Sequence, residues 1–113
     1  MVITKRLAGD VAILDLNGKL TIGVGDVALR GAMLTELEDG HTKIVINLKD
    51  VTAIDSSGLG ELIRCKATAA AKNAGIKLLH ANLKARKLLT MSGLVGVFEM
   101  FDDEEMAVAS FSA

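Results

Sequence analysis

The residues best suited to chemistry are Asp55, Ser56 and Ser57, in the run Asp-Ser-Ser-Gly-Leu-Gly that ends at Gly60. The run follows the apolar stretch Val51 to Ile54 and opens a helical pattern. Two hydroxyls behind a carboxylate and ahead of a glycine admit two readings. In the first, Asp55, Ser56 or Ser57 accepts a hydrogen bond from a first-turn N–H and caps the helix. In the second, Ser56 takes a phosphate, which carries about −1.5 to −2 charge at pH 7. A helix N-terminus suits that anion, because its N–H donors and its dipole both point at it. The fold would then tolerate the modification, and repulsion and desolvation would fall on a partner docked over the same surface. Asp55 would add to the negative charge. Gly58 and Gly60 weaken a helix start, which predicts a close approach to its backbone.

Enzymatic chemistry finds little support. The run is not the G-x-S-x-G nucleophile elbow, and a serine nucleophile needs a base. His41 and His80 are the only histidines. One follows a helix-ending glycine and the other lies near a strand end, so both read as surface or partly buried residues. Two isolated histidines and the single Cys65 lack metal-ligand spacing, and Cys65 reads as a core or boundary residue. Gly23 to Asp26 has neither the Lys-Ser/Thr of a P-loop nor the third glycine of a dinucleotide fingerprint. It reads as a flexible turn into a helix. Leu83 to Lys87 reads as the solvated face of a helix. With a net charge of −1 and only three aromatic residues, all Phe, the chain is a poor match for nucleic acid. No cofactor is expected.

The elements that must position these residues follow from length and periodicity. At 113 residues, half of them apolar, the chain is expected to form one domain, residues 1–113. Its apolar runs fall well short of the roughly 18 residues that suggest a membrane span, and Met1 to Val11 lacks the order of a signal peptide. A lone cysteine permits no internal disulfide, and a cytoplasmic location is expected. Val11 to Leu20 reads as β-structure with a turn signal at Asn17-Gly18. Asp26 is placed to cap a helix through about Glu38 that buries Val27, Met33, Leu34 and Leu37. Gly31 weakens its middle and Gly40 closes it.

Lys43 to Leu48 predicts a short central strand. In the helix after it, Leu59, Leu62, Ile63, Ala67, Ala70 and Ala74 form the apolar stripe. Glu61, Arg64, Lys66 and Lys72 take the other faces, and Gly75 ends the helix. Ile76 to Ala81 predicts a strand, Asn82 to Leu94 a helix closed near Gly93, and Val95 to Phe101 a last strand. Asp102 to Glu105 puts acid at the start of a final helix. The order β-β-α-β-α-β-α-β-α predicts an α/β fold with one mainly parallel or mixed sheet, four or five strands and about four helices.

Taken together, Val45 to Leu62 (VINLKDVTAIDSSGLGEL) resembles the signature of the STAS-domain family, and specifically of bacterial anti-sigma factor antagonists. Leu16 to Thr21 is similar to the end of the family's second strand. Asn73 to Asn82 resembles its next strand, and Leu88 to Val108 its C-terminal third, so the likeness spans essentially the whole chain. It implies a compact α/β domain that binds an anti-sigma factor when unphosphorylated and so releases a sigma factor. In such systems the anti-sigma factor is often itself an ATP-dependent serine kinase, and a separate phosphatase restores the active form. Carried over, Ser56 is the phosphoacceptor and Asp55 its acidic neighbour, while Ser57, Gly58, Leu59 and Gly60 form the helix start that the partner covers. The ATP belongs to the kinase. Many antagonists have acidic residues after the second-strand glycine, where this chain has Lys19 and Thr21. The glycine-rich segment Ile22 to Gly31 follows, so Thr21 and Gly23 are expected to border the docking surface. Two other readings stay open: a STAS scaffold or transporter-associated subunit without phosphate control, and a hydrolase or phosphotransferase using Ser56.

Overall fold

The structure, a computed structural model, describes residues 1–112; Ala113, the last residue of the expected domain, lies outside them. Its strands are β1 (Val2–Ala8), β2 (Val11–Leu20), β3 (Lys43–Ile54), β4 (Gly75–Leu79) and β5 (Met100–Phe101). The helices are α1 (Gly25–Glu38), α2 (Ser56–Ala71), α3 (Leu83–Met91) and α4 (Glu104–Ala109). The alternation and the mixed sheet match the expected order. Spatial order equals sequence order, β1-β2-β3-β4-β5, with β1 antiparallel to β2 and the other pairs parallel.

Successive parallel strands that always step the same way put their right-handed crossover helices on one face of the sheet. Alternation along the strands shows this directly. Ala12, Leu14, Leu16, Ile44, Ile46, Leu48 and Leu78 point into the core with α1, α2 and α3. Val11, Ile13, Val45 and Leu79 point to the opposite face, where Ala107 of α4 covers them. β2 and β3 are therefore apolar on both sides, as central strands should be.

Several expectations need correction. Asn17-Gly18 is not a turn: β2 runs through it, with register shifts against β3 on either side of the pair, and Gly18 takes φ +121°. The hairpin turn is Gly9-Asp10, between the paired residues Ala8 and Val11. β3 extends to Ile54, because Val51 still packs in the core and Leu20 still pairs with Ile54. The last strand is only Met100 and Phe101, which pair with the last two residues of β4; Val95–Val97 forms a 3-10 turn.

Helix faces also differ. In α1 the buried side chains are Leu29, Met33, Glu36 and Leu37, whereas Val27 and Leu34 are exposed. The N-cap of α1 is Val24, and Asp26 lies inside the first turn, accepting from the Val27 N–H at 2.8 Å. In α2, Glu61, Cys65 and Ala69 are buried and Ala67 and Ala70 are exposed, so the stripe is rotated from the apolar pattern. That helix stops at Ala71; Asn73 takes the left-handed conformation, and Gly75 opens β4. The closing glycines Gly40 and Gly93 are where expected, at φ +83° and +70°.

Candidate functional site

Asp55 is the only residue between β3 and α2. Its backbone is extended, and its carboxylate uses both oxygens on main-chain donors. Oδ1 accepts from the Gly58 N–H at 2.9 Å and Oδ2 from the Ile22 N–H at 3.1 Å. These bonds, Gly58 first and then Ile22, hold the Asp55 carboxyl below the usual carboxylate range. Of the three candidate caps, Asp55 is the one used. Ser56 is thus not needed for the cap, and it sits exposed as the first residue of α2, with Ser57 half-buried behind it.

The same carboxylate ties down the loop before α1. The Thr21 carbonyl accepts from the N–H groups of Val24, Gly25 and Asp26 at 3.4, 3.1 and 3.3 Å, and Gly23 takes φ +81°. Thr21 to Val24 is therefore a hydrogen-bonded turn held against the start of α2, and of the expected turn Gly23 to Asp26 the last two residues already belong to α1. Ile22, Val24 and Val27 are exposed beside it. The Ile22–Asp55 bond thus joins the turn that carries Thr21 and Gly23 to the helix start that carries Ser56 and Ser57.

Gly58 and Leu59 are buried, so they shape this surface from beneath. The close approach inferred at the helix start comes from within the chain. A Cβ on Gly58 would stand 2.0 Å from the Leu20 carbonyl oxygen, and one on Gly25 would stand 2.2 Å from that of Lys19. The end of β2 is thus clasped between the first turns of two helices. Gly60 is different: a Cβ there would meet only the Arg64 Nη1 and Nη2 atoms, at 3.7 and 3.8 Å.

One turn further along α2 lies a group that reading by residue type missed. The Glu61 side chain is 2 % exposed. Arg30 of α1 donates to its Oε1 through Nη2 at 2.6 Å and Nε at 3.0 Å, while the Arg64 Nε lies 3.6 Å away. The Cys65 thiol donates to Glu61 Oε2 at 3.7 Å; burial first, then the Glu61 charge, pushes that thiol up to about 12. The available signal was the Glu61–Arg64 spacing of three residues, but the Arg30 partner is distant in sequence. On the other side of β3, Asn82 Nδ2 donates to the Val51 carbonyl at 2.8 Å and Lys84 Nζ to that of Thr52 at 3.2 Å.

The histidines lie away from Ser56 in the network of bonds. His41 Nδ1 is 2.9 Å from Glu36 Oε1 at the end of α1, and Lys5 Nζ is 3.1 Å from the same oxygen. Asp39 completes a group of three ligand-capable side chains there, where no such grouping was expected. Lys5 already supplies the cation that buried Glu36 needs. His80 follows β4 in a left-handed conformation, within the charge environment of Glu104. No helix among the described residues is long and apolar enough to cross a membrane.

A mixed five-stranded sheet with three helices on one face and a serine-bearing helix start after its middle strand defines a STAS-type α/β domain. The family model described as "Mlab, STAS domain" matches residues 3–100, and the chain belongs to that family. A protein of Thermotoga maritima, provisionally named an anti-sigma factor antagonist, is 26 % identical over 97 residues, covering 86 % of each chain. The crystal structure of a Thermotoga maritima protein with the same provisional name superposes with a TM-score of 0.88 at 24 % identity, over 98 % of this chain and 95 % of that one. The Bacillus cell fate determinant SpoIIAA in its phosphorylated form has the same fold, with a TM-score of 0.75 at 24 % identity over 97 % and 99 %.

Proposed function

We propose that this chain is a non-enzymatic, cytoplasmic anti-sigma factor antagonist switched by phosphorylation of Ser56. Unmodified, it binds an anti-sigma factor that is also a serine kinase, and a sigma factor is released. Phosphate on Ser56 ends the complex, and a phosphatase restores it. The observation that carries this reading is the division of labour at the β3–α2 junction. Asp55 takes the cap and the loop tie, which leaves the neighbouring hydroxyl exposed at a helix start. Exposed Ile22, Val24 and Val27 beside it supply apolar area for a partner, so a dianion placed there would have to be desolvated on docking.

The contact surface is then Thr21, Gly23, Asp55, Ser56, Ser57 and Gly60, resting on buried Gly58 and Leu59. A tenfold change in partner affinity needs a difference of only about 1.4 kcal/mol between the two forms. Site-mapped mass spectrometry of the protein from its native cells, with its partners identified in the same pull-down, tests the switch. Phosphate on Ser56, with a kinase-like anti-sigma factor enriched by the unmodified form, is expected. A chain without phosphate under every growth condition, bound to a transporter or scaffold protein, would overturn it.

A further inference from the structure

The Asp-Ser-Ser-Gly-Leu-Gly run contains a second glycine that neither the cap nor the packing of β2 requires. Gly58 is enforced by the Leu20 carbonyl, but beside Gly60 the only close atoms are the guanidinium nitrogens of Arg64. Helical side chains lean toward the N-terminus, and Arg64 follows this by folding back over the bare backbone of Gly60. Ser56 and Gly60 are four residues apart on α2, a spacing that places Cβ positions roughly 5–6 Å from each other. The Arg64 fork therefore lies one helical turn from the Ser56 hydroxyl, with no side chain at position 60 between them.

The electrostatics leave that fork available. One buried carboxylate, Glu61, serves two guanidinium groups. Arg30 makes the close contact, through two nitrogens to one oxygen, and Arg64 only the long one at 3.6 Å. The Arg64 side chain is 58 % exposed and that of Arg30 53 %. Asp55, the carboxylate next to Ser56 in the chain, has its oxygens taken by main-chain N–H groups. Asp26 lies in the charge environment of Arg30.

We propose that the Arg64 guanidinium, folded over Gly60, receives the phosphate on Ser56, with Arg30 as a second cation beside it. The inference rests on Ser56 being the phosphoacceptor and adds what happens to the phosphate afterwards. Arginine binds phosphate oxygens through a planar fork of donors. The modified serine is thus held on the domain's own surface, and Arg64 is drawn away from Glu61. Phosphorylation then changes two features of the surface at once: a charge is added at Ser56, and a cation that a partner would have met is engaged.

The test uses the full chain with phosphoserine incorporated at position 56 during synthesis, so that no kinase is required. Phosphorus NMR follows the second ionisation of the phosphate against pH in the otherwise unaltered protein, in Arg64→Gln and in Lys66→Gln. Lys66 is the control, a cation of the same helix whose Nζ lies over the Phe98 ring. The phosphate of the unaltered protein and of Lys66→Gln is expected to ionise at a pH lower by about half a unit or more than that of Arg64→Gln. Coincident curves for all three, or equal shifts in the two variants, would overturn the inference. The phosphoacceptor reading fails separately, by the lack of Ser56 phosphate in native cells.

Discussion

Gly58 and Leu20 touch so closely that a methyl group on Gly58 would stand 2.0 Å from the Leu20 carbonyl oxygen and 2.9 Å from its carbonyl carbon. Backbone lies on both sides of that contact, so relief requires a shift of β2 or α2. Gly58→Ala is therefore expected to destabilise the fold by at least about 2 kcal/mol. Gly60→Ala is expected to do the opposite, gaining about 0.4–1 kcal/mol, because it meets only the ends of a flexible side chain. Urea unfolding followed by circular dichroism compares them, since the chain has neither Trp nor Tyr.

The two serines should differ. Ser56→Ala is expected to abolish phosphorylation while keeping the partner, and Ser56→Asp to weaken binding at least about tenfold. Ser57→Ala should leave modification of Ser56 in place. Phosphopeptide mapping and a binding titration check this, and phosphate found on Ser57 alone would refute the assignment.

Asp55→Ala removes two main-chain bonds at once, one inside α2 and one to the Thr21–Val24 turn. The expected signature is faster hydrogen exchange at the amides of both Gly58 and Ile22. Acceleration at Gly58 alone would mean that the turn holds without Asp55.

Asp15 and Glu104 share Arg6, and both carboxyls are lowered, as is that of Asp55. For Glu104 the first cause is the Arg6 bond. For Asp15, burial opposes ionisation, and the bonds from Arg6 and Asn47 outweigh it. Below the unfolded-state values, near pH 4, the unfolded chain binds more protons than the folded one. The stability these groups supply is thus present above about pH 4 and is lost as pH falls through their folded values. Arg6→Ala is expected to flatten the acid limb of the melting temperature plotted against pH, while leaving the slope at neutral pH alone.

Cys65 is buried and its thiol ionises only near 12, so it should resist modification in the native state. With Ellman's reagent at pH 8, reaction is expected to be at least about a hundredfold slower in buffer than in denaturing urea. Fast labelling of the folded protein would contradict the burial.

Element order was legible because apolar spacing and closing glycines are local signals, and both survive in the fold. The geometry of the β3–α2 junction was legible for the same reason: the cap at Asp55, the exposed Ser56 and the close approach at Gly58 are local features of a helix start. What failed depends on residues far apart in sequence. Glu61 reads as solvated by type, yet it is buried because Arg30 reaches it from α1. Asn17-Gly18 reads as a turn, but β3 pairs alongside and absorbs it as an irregularity. Val27 and Leu34 read as core by type but lie on the outward side of α1, since the sheet takes up Leu29, Met33 and Leu37.

Under the proposed switch, the single-residue junction at Asp55 also sets the kinetics that a partner meets. Ser56 is joined through one residue to a strand in the middle of the sheet, and that residue is anchored twice. The surface is pre-organised, so docking loses little conformational entropy on this side of the complex. Encounter rates should then be nearly alike for the two forms of Ser56 at physiological salt. The lifetime of the complex, rather than the speed of its formation, is where the difference between them should appear.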